Sequence, residues 1–149
     1  MKETKFKVDY LSDKITEVVN KCGHLTLAIW SADCAEHVLV YFEEKQPNDL
    51  RPRNAIKAGR AWVSGELKMT DARKAAFSSH ASAREVSDDA ATAVAHACGH
   101  AAATAHVATH APHAATYAAK AIGYAKDDIN EERTWQYNRL LELFNKHHA

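Results

Sequence analysis

Apolar positions recur at helical spacing along nearly the whole chain, and no stretch carries a convincing hairpin signal. Ser12 offers an N-cap for a first helix over residues 13–21, with Ile15, Val18 and Val19 on one face and Gly23 at its stop. From residue 25 to about 44, Leu27, Trp30, Cys34, Val38 and Tyr41 mark a second helix, which Gln46-Pro47-Asn48 ends. A third begins at Asp49 or the next residue, tolerates Pro52 because it lies in the first turn, and stops before Gly65. The fourth runs from Thr70 to about Val86. Ser87, followed by Asp88 and Asp89, is a hydroxyl cap with two carboxylates in the positive first turn, and it launches a fifth helix over residues 88–111. Pro112 ends or kinks that helix. Beyond it the pattern resumes through Tyr117 and Tyr124, and Asp127-Asp128 can cap a stretch bearing Ile129, Trp135, Leu140, Leu143 and Phe144. Whether residues 113–146 make one bent helix or two is left open by the spacing. Residues 2–11 read differently, since the weak alternation of Phe6, Val8 and Tyr10 suggests a short extended arm. With 149 residues and no linker or repeat, the expectation is one all-α domain of six or seven helices around a central helix rich in alanine and histidine.

That central helix belongs to a segment, residues 90–119, without any Asp, Glu, Lys or Arg. At 100° per residue, His96, His100, His106 and His110 fall within about 120° of one another. Beside them Ala93, Ala97, Ala101, Thr104, Ala108 and Ala111 form a stripe of small side chains, which lets neighbouring helices approach closely. A membrane span is not expected here, because alanine is nearly neutral in transfer while the histidines and threonines oppose insertion.

Lys plus Arg and Asp plus Glu both number 19, so the formal charge is zero and nothing draws the chain generally to nucleic acid or an anionic membrane. Three cysteines, Cys22, Cys34 and Cys98, with no CxxC pair argue for a reducing compartment, and with no apolar secretion segment the expected location is the cytoplasm. Ten histidines make the molecule sensitive to mild acid, so a pH-responsive interface is a further possibility.

Candidate chemistry is sparse. Two HxxxH pairs on one helix suit a divalent transition metal such as zinc, with His96, His100, His106 and His110 as the metal ligands. The glutamate of HExxH is missing, since Ala97 and Cys98 follow His96, so a carboxylate would have to come from Asp33, Glu36 or Glu66. The alternative is that these imidazoles only hydrogen-bond to neighbouring helices or face water, leaving the protein without a cofactor. Asp33 lies inside an apolar stretch and needs a partner; a polar cluster of Asp33, Arg53, Arg60 and His80 is the expectation, with His37 open to a similar role. Trp30, Trp62 and Trp135 read as packing residues, and Cys34 and Cys98 as small core residues. No GxxxxGK, GxGxxG or GxSxG is present, so nucleotide and serine-hydrolase chemistry have no support.

Several strings together resemble a known family: Trp30-Ser-Ala-Asp33-Cys-Ala-Glu36, Arg51-Pro52-Arg53 through Arg60-Ala-Trp62, Gly99-His100-Ala-Ala-Ala-Thr104-Ala-His106, Tyr117-Ala-Ala-Lys120-Ala, and Glu132-Arg133-Thr-Trp135-Gln136. They are similar to the alanine-rich immunity proteins associated with bacterial polymorphic toxin systems, over roughly residues 25 to 143. The resemblance implies a small helical cytoplasmic protein, not an enzyme, that neutralises a cognate toxin by docking on it. If that toxin is a nuclease, an acidic face mimicking phosphates is expected, and Asp127, Asp128, Glu131 and Glu132 form the dense acidic cluster late in the chain. The competing reading is a metal-binding helical protein or metalloenzyme built on the histidine face of residues 88–111. The small-residue seam would also suit a two-fold homodimer.

Overall fold

A computed structural model describes residues 2–148, with side chains from Tyr10 to His147. The architecture is all-α: α1 (Lys2–Val19), α2 (His24–Val38), α3 (Val40–Glu43), α4 (Arg51–Val63), α5 (Met69–Glu85), α6 (Asp89–Ala103), α7 (His110–Tyr124) and α8 (Ile129–His148). No strand occurs among the described residues. Nor is any described helix long and apolar enough to cross a membrane.

The helix at the centre is α6, packed against α2, α3, α4, α5 and α7, while α1 lies along α8. Its composition explains that position. Ala90, Ala91, Ala93, Ala95, Ala97, Ala101, Ala102 and Ala103 are all buried, as are Val94, Cys98 and Gly99, so α6 is covered on several sides by backbones that come very near. At Gly59 of α4 a Cβ would sit 3.4 Å from the Ala101 carbonyl oxygen, which shows how close the α4–α6 crossing is. Large side chains fill the space between α2, α3 and α8 instead: Trp30, Val38, Phe42 and Leu140 are fully buried, and the Trp30 indole donates to the Gln136 carbonyl at 2.9 Å. Most of the expected small stripe is inside, with Ala93, Ala97, Ala101, Thr104 and Ala111 buried and Ala108 partly so.

Several sequence expectations change, the first being the second helix, which breaks at Leu39 into α2 and α3, so that the described residues form eight helices and not six or seven. Residues 2–11 are not an extended arm but the first turns of α1, which continues helix one without a break. No Gly or Pro interrupts this stretch, and packing along α8 outweighs a weak alternation. The cap of α6 is Asp88 and not Ser87: its carboxylate accepts from the Ala91 amide at 2.9 Å. The histidine helix does not run to residue 111. It stops at Ala103, where the Thr104 hydroxyl and amide both bond the His100 carbonyl, at 2.9 and 3.0 Å, and residues 104–109 turn the chain back. Pro112 therefore lies in the first turn of α7, where its missing amide proton costs nothing. The region 113–146, left open by the spacing, forms two helices, because Lys126 adopts φ 62° and its amide and that of Asp127 bond back to Gly123 and Ile122, at 3.0 and 2.9 Å.

Candidate functional site

Five imidazoles collect where α5, α6 and α7 meet. One turn separates His96 from His100 on α6, His110 and His113 share a face of α7 with Tyr117, and His80 reaches in from α5. The Nδ1 atoms of His80 and His96 are 2.8 Å apart, and those of His100 and His110 are 3.0 Å apart, so each pair shares one proton between two ring nitrogens. The pairs touch through His80 and His100, whose ring centroids are 5.0 Å apart. Tyr117 closes one side, stacked on His100 at 5.3 Å and lying 5.2 Å from His96. His113 meets His100 at 5.4 Å between centroids.

Gly99 makes this assembly possible. A Cβ there would come within 2.6 Å of His80 Nε2 and 2.7 Å of Cε1, so the imidazole edge rests on bare α6 backbone. Next to it, Ser79 donates to the Ala95 carbonyl at 2.7 Å and pins α5 in the same register. Burial pushes the His80 imidazole down to about 4, helped by the neighbouring charges of His96 and Arg84. His100 is pushed down to about 3 by burial and then by His80, His110 and His113. Burial also lowers His96 and His110. The seam is thus a neutral polar contact between helices.

Of the four histidines grouped from spacing, His96, His100 and His110 belong here and His106 does not. The turn after α6 carries His106 to the surface, where its Nδ1 lies 3.2 Å from the Met69 sulfur. A continuous helix over residues 88–111 would have kept all four on one face, and the break at Thr104 removes that geometry. Among the described residues no group of three or more His, Cys, Asp or Glu side chains is placed so that it could hold a metal ion. His80 joins the imidazoles and not the Asp33 cluster. His113 and Tyr117 were missed by sequence reasoning; their i, i+4 spacing was a usable signal once α7 was known to start at His110.

On the opposite side, Asp33 is largely covered and holds two arginines. Arg60 of α4 donates to Oδ1 at 3.0 Å and Arg139 of α8 to Oδ2 at 2.8 Å, so one carboxylate ties α2, α4 and α8 together. Glu36 and Glu142 neutralise the outer edges of the same guanidinium groups, at 3.3 and 3.0 Å. Arg53 is elsewhere, paired with Glu43 at 2.7 Å, whose carboxyl it holds below the usual carboxylate range. Arg139 went unrecognised because nothing in sequence links α8 to Asp33, although Trp135, Arg139 and Glu142 do share a helical face. Cys34 and Cys98 are buried as expected, and burial pushes both thiols up, away from the reactive thiolate.

Beside Asp33 opens a groove of about 520 Å³, lined by His37 and Tyr41 on one bank and by Asp127, Asp128, Glu131, Glu132 and Trp135 on the other. The Trp135 indole packs against the core while half-buried, and it stacks on the His37 ring at 3.7 Å and 8°. Trp62 is also only half-buried, against His24. His37 Nδ1 donates to Glu132 Oε2 at 2.8 Å, and Glu132 is 6% exposed, so this carboxylate is committed to holding the bank. The other three acids are exposed. Asp128 accepts from the Glu131 amide at 3.2 Å as the cap of α8, and Asp127 accepts from the Tyr41 hydroxyl at 3.4 Å. Burial raises the Tyr41 phenol, and the charge of Asp127 raises it further. The four acids grouped from sequence therefore do share one concave surface, with aromatic rings in its walls.

No curated protein and no solved structure matches this chain. A family model does, over residues 17–143, from the last residues of α1 through α7 and into α8. By that match the chain belongs to the family described as Imm-5 like putative immunity protein.

Proposed function

We propose that the protein neutralises a cognate bacterial toxin by direct docking, without chemistry of its own, and that the docking surface is the acidic groove between α2–α3 and the start of α8. Family membership supports a toxin partner. The groove supports the surface: exposed Asp127, Asp128 and Glu131 share a bank with Trp135 and face His37 and Tyr41, so a basic segment of the toxin would find carboxylates for its charges and flat rings for its stems. Complementary charge of this kind steers encounter and fixes orientation, and the aromatic wall gives the pocket in which a few anchors concentrate affinity. On this reading the protein would work in the cytoplasm, guarding the producing cell's own machinery.

The test is growth rescue. Toxin domains of polymorphic systems are expressed in bacteria with this chain or with an Asp127→Asn, Asp128→Asn, Glu131→Gln variant, which keeps the Asp128 cap geometry while removing charge. Rescue from one toxin, with affinity for it weakened ten-fold or more in the variant and stability unchanged, is the expected outcome. Equal affinity would move docking to another face, and rescue from none would remove the docking function.

A further inference from the structure

We propose that the pocket where α1, α2 and the start of α7 meet α8 binds an aliphatic carboxylate, with its charged end on the Arg133 guanidinium and its apolar body along Ile15, Val19 and Leu27. This pocket shares no lining residue with the acidic groove, so the inference stands apart from the docking reading. It rests on a buried charge that the chain itself leaves unmatched.

Arg51, Arg53, Arg60 and Arg139 are each about a third or more exposed, and each holds a carboxylate. Arg133 is far more covered, at 8% exposure, and holds none among the described residues. Burial pushes its guanidinium down from the ordinary range, yet a guanidinium keeps its proton at neutral pH. A covered cation without a counter-ion is costly, which is why such groups are otherwise found paired. The fork is also fixed in place. Nη1 donates to Gln136 Oε1 at 2.7 Å and Nη2 to the Ser12 hydroxyl at 2.9 Å. Gln136 is itself fully buried and held by its donation to the Ala115 carbonyl at 2.9 Å. The guanidinium is therefore positioned before any ligand arrives, with neutral acceptors on two sides and its remaining N–H groups without an acceptor among the described residues.

Beside it lies a cavity of about 500 Å³, within the range of small-molecule sites. Ser12, Thr116 and Arg133 line this cavity and also a neighbouring one of about 220 Å³, to which Lys120 adds a second cation. No Asp or Glu among the described residues lines either cavity. The Ser12 hydroxyl accepts from Arg133, so its own proton is left to donate to an anion, whereas the Thr116 hydroxyl is committed to the Pro112 carbonyl at 2.9 Å. From Ser12 the wall follows α1 through Ile15 to Val19, about 10 Å of helix, with Leu27 and Pro112 opposite. A carboxylate fits the planar fork, and an aliphatic chain fits the wall. A doubly charged phosphate would instead lose its water against aliphatic side chains without enough donors to replace it.

The probe is octanoate, added to the full chain at neutral pH, with octanol as the same body without the charge and acetate as the charge without the body. Titration calorimetry and methyl NMR should show a single octanoate site with shifts at Ile15, Val19 and Leu27, and binding of octanol and acetate weaker by roughly ten-fold or more. Arg133→Met removes the charge and keeps an apolar stem, so it should weaken octanoate by roughly ten-fold and leave octanol unchanged. Should that variant not fold, Ala108→Leu carries the test, because it fills the pocket from a partly exposed edge, leaves the guanidinium in place and should weaken octanoate and octanol alike. Octanol binding as tightly as octanoate, octanoate binding unaltered by the folded variant, shifts confined to other residues, or no octanoate binding at millimolar concentration would each overturn the site.

Discussion

The two sides of this molecule solve the same problem, a polar group between packed helices, in opposite ways. At the α5–α6–α7 seam the polar groups are imidazoles kept neutral, and they interlock by sharing protons ring to ring. At the α2–α4–α8 contact the polar group is the Asp33 carboxylate, clamped by Arg60 and Arg139. The reason lies in what surrounds each. Residues 90–119 contain no charged side chain, so a buried charge there would have no partner. On α2, α4 and α8 guanidinium groups are at hand, and their long stems let the charge reach the rim while the carboxylate stays covered. A neutral seam tolerates high salt and suffers from acid, whereas the charged clamp is weakened by salt.

The largest expected effect comes from breaking the seam sterically. Gly99→Val removes the hollow that seats His80, and overpacking in so close a helix contact should cost about 2–3 kcal/mol, measured by urea denaturation at pH 7.5. The same variant with His80→Ala should recover part of that loss, because the colliding ring has gone. If Gly99→Val is neutral, the imidazole does not depend on the glycine and the seam is looser than the geometry states.

Breaking the clamp is expected to cost less. Asp33→Asn keeps shape and one acceptor but leaves Arg60 and Arg139, each about a third exposed, to turn toward water, so a loss of about 1–2 kcal/mol is expected. Added salt should narrow the gap between wild type and variant, whereas it should leave the penalty at Gly99 unchanged. Equal salt responses in the two variants would erase the distinction drawn between the two regions.

The same contrast explains what the sequence could and could not reveal. Helical period, the small stripe and the covered Asp33 follow from local pattern, and so does the need of Asp33 for a cation, although the pattern offers Arg53 as readily as Arg60 and only Arg60 of the two reaches it. Arg139, His113 and Tyr117 reach their clusters through tertiary packing between helices far apart in the chain. The histidine face was misjudged at one point, Thr104: alanine on both sides hides a helix end, because a hydroxyl bonding back to His100 leaves no Gly or Pro to mark it. That single break sends His106 outward and brings His110 round beside His100. The acidic cluster was visible as composition; its concavity came from the αL turn at Lys126, for which lysine gives no warning.

That turn joins the two regions, since α7 leaves the seam there and the chain enters the acidic bank. Lys126 holds φ 62°, a conformation that costs a residue with a Cβ but not glycine. Lys126→Gly should therefore stabilise the fold by about 0.5–1 kcal/mol, raising the melting temperature by roughly 1–4 °C for a chain of this size. The gain is the smallest effect expected here, and it should be independent of pH between 7.5 and 5.0, because backbone strain carries no proton. A gain that vanished in acid would mean that the end of α7 responds to protonation of the seam's imidazoles, coupling the histidines to the groove. A constant gain leaves them as separate devices, one holding the scaffold together and the other facing outward.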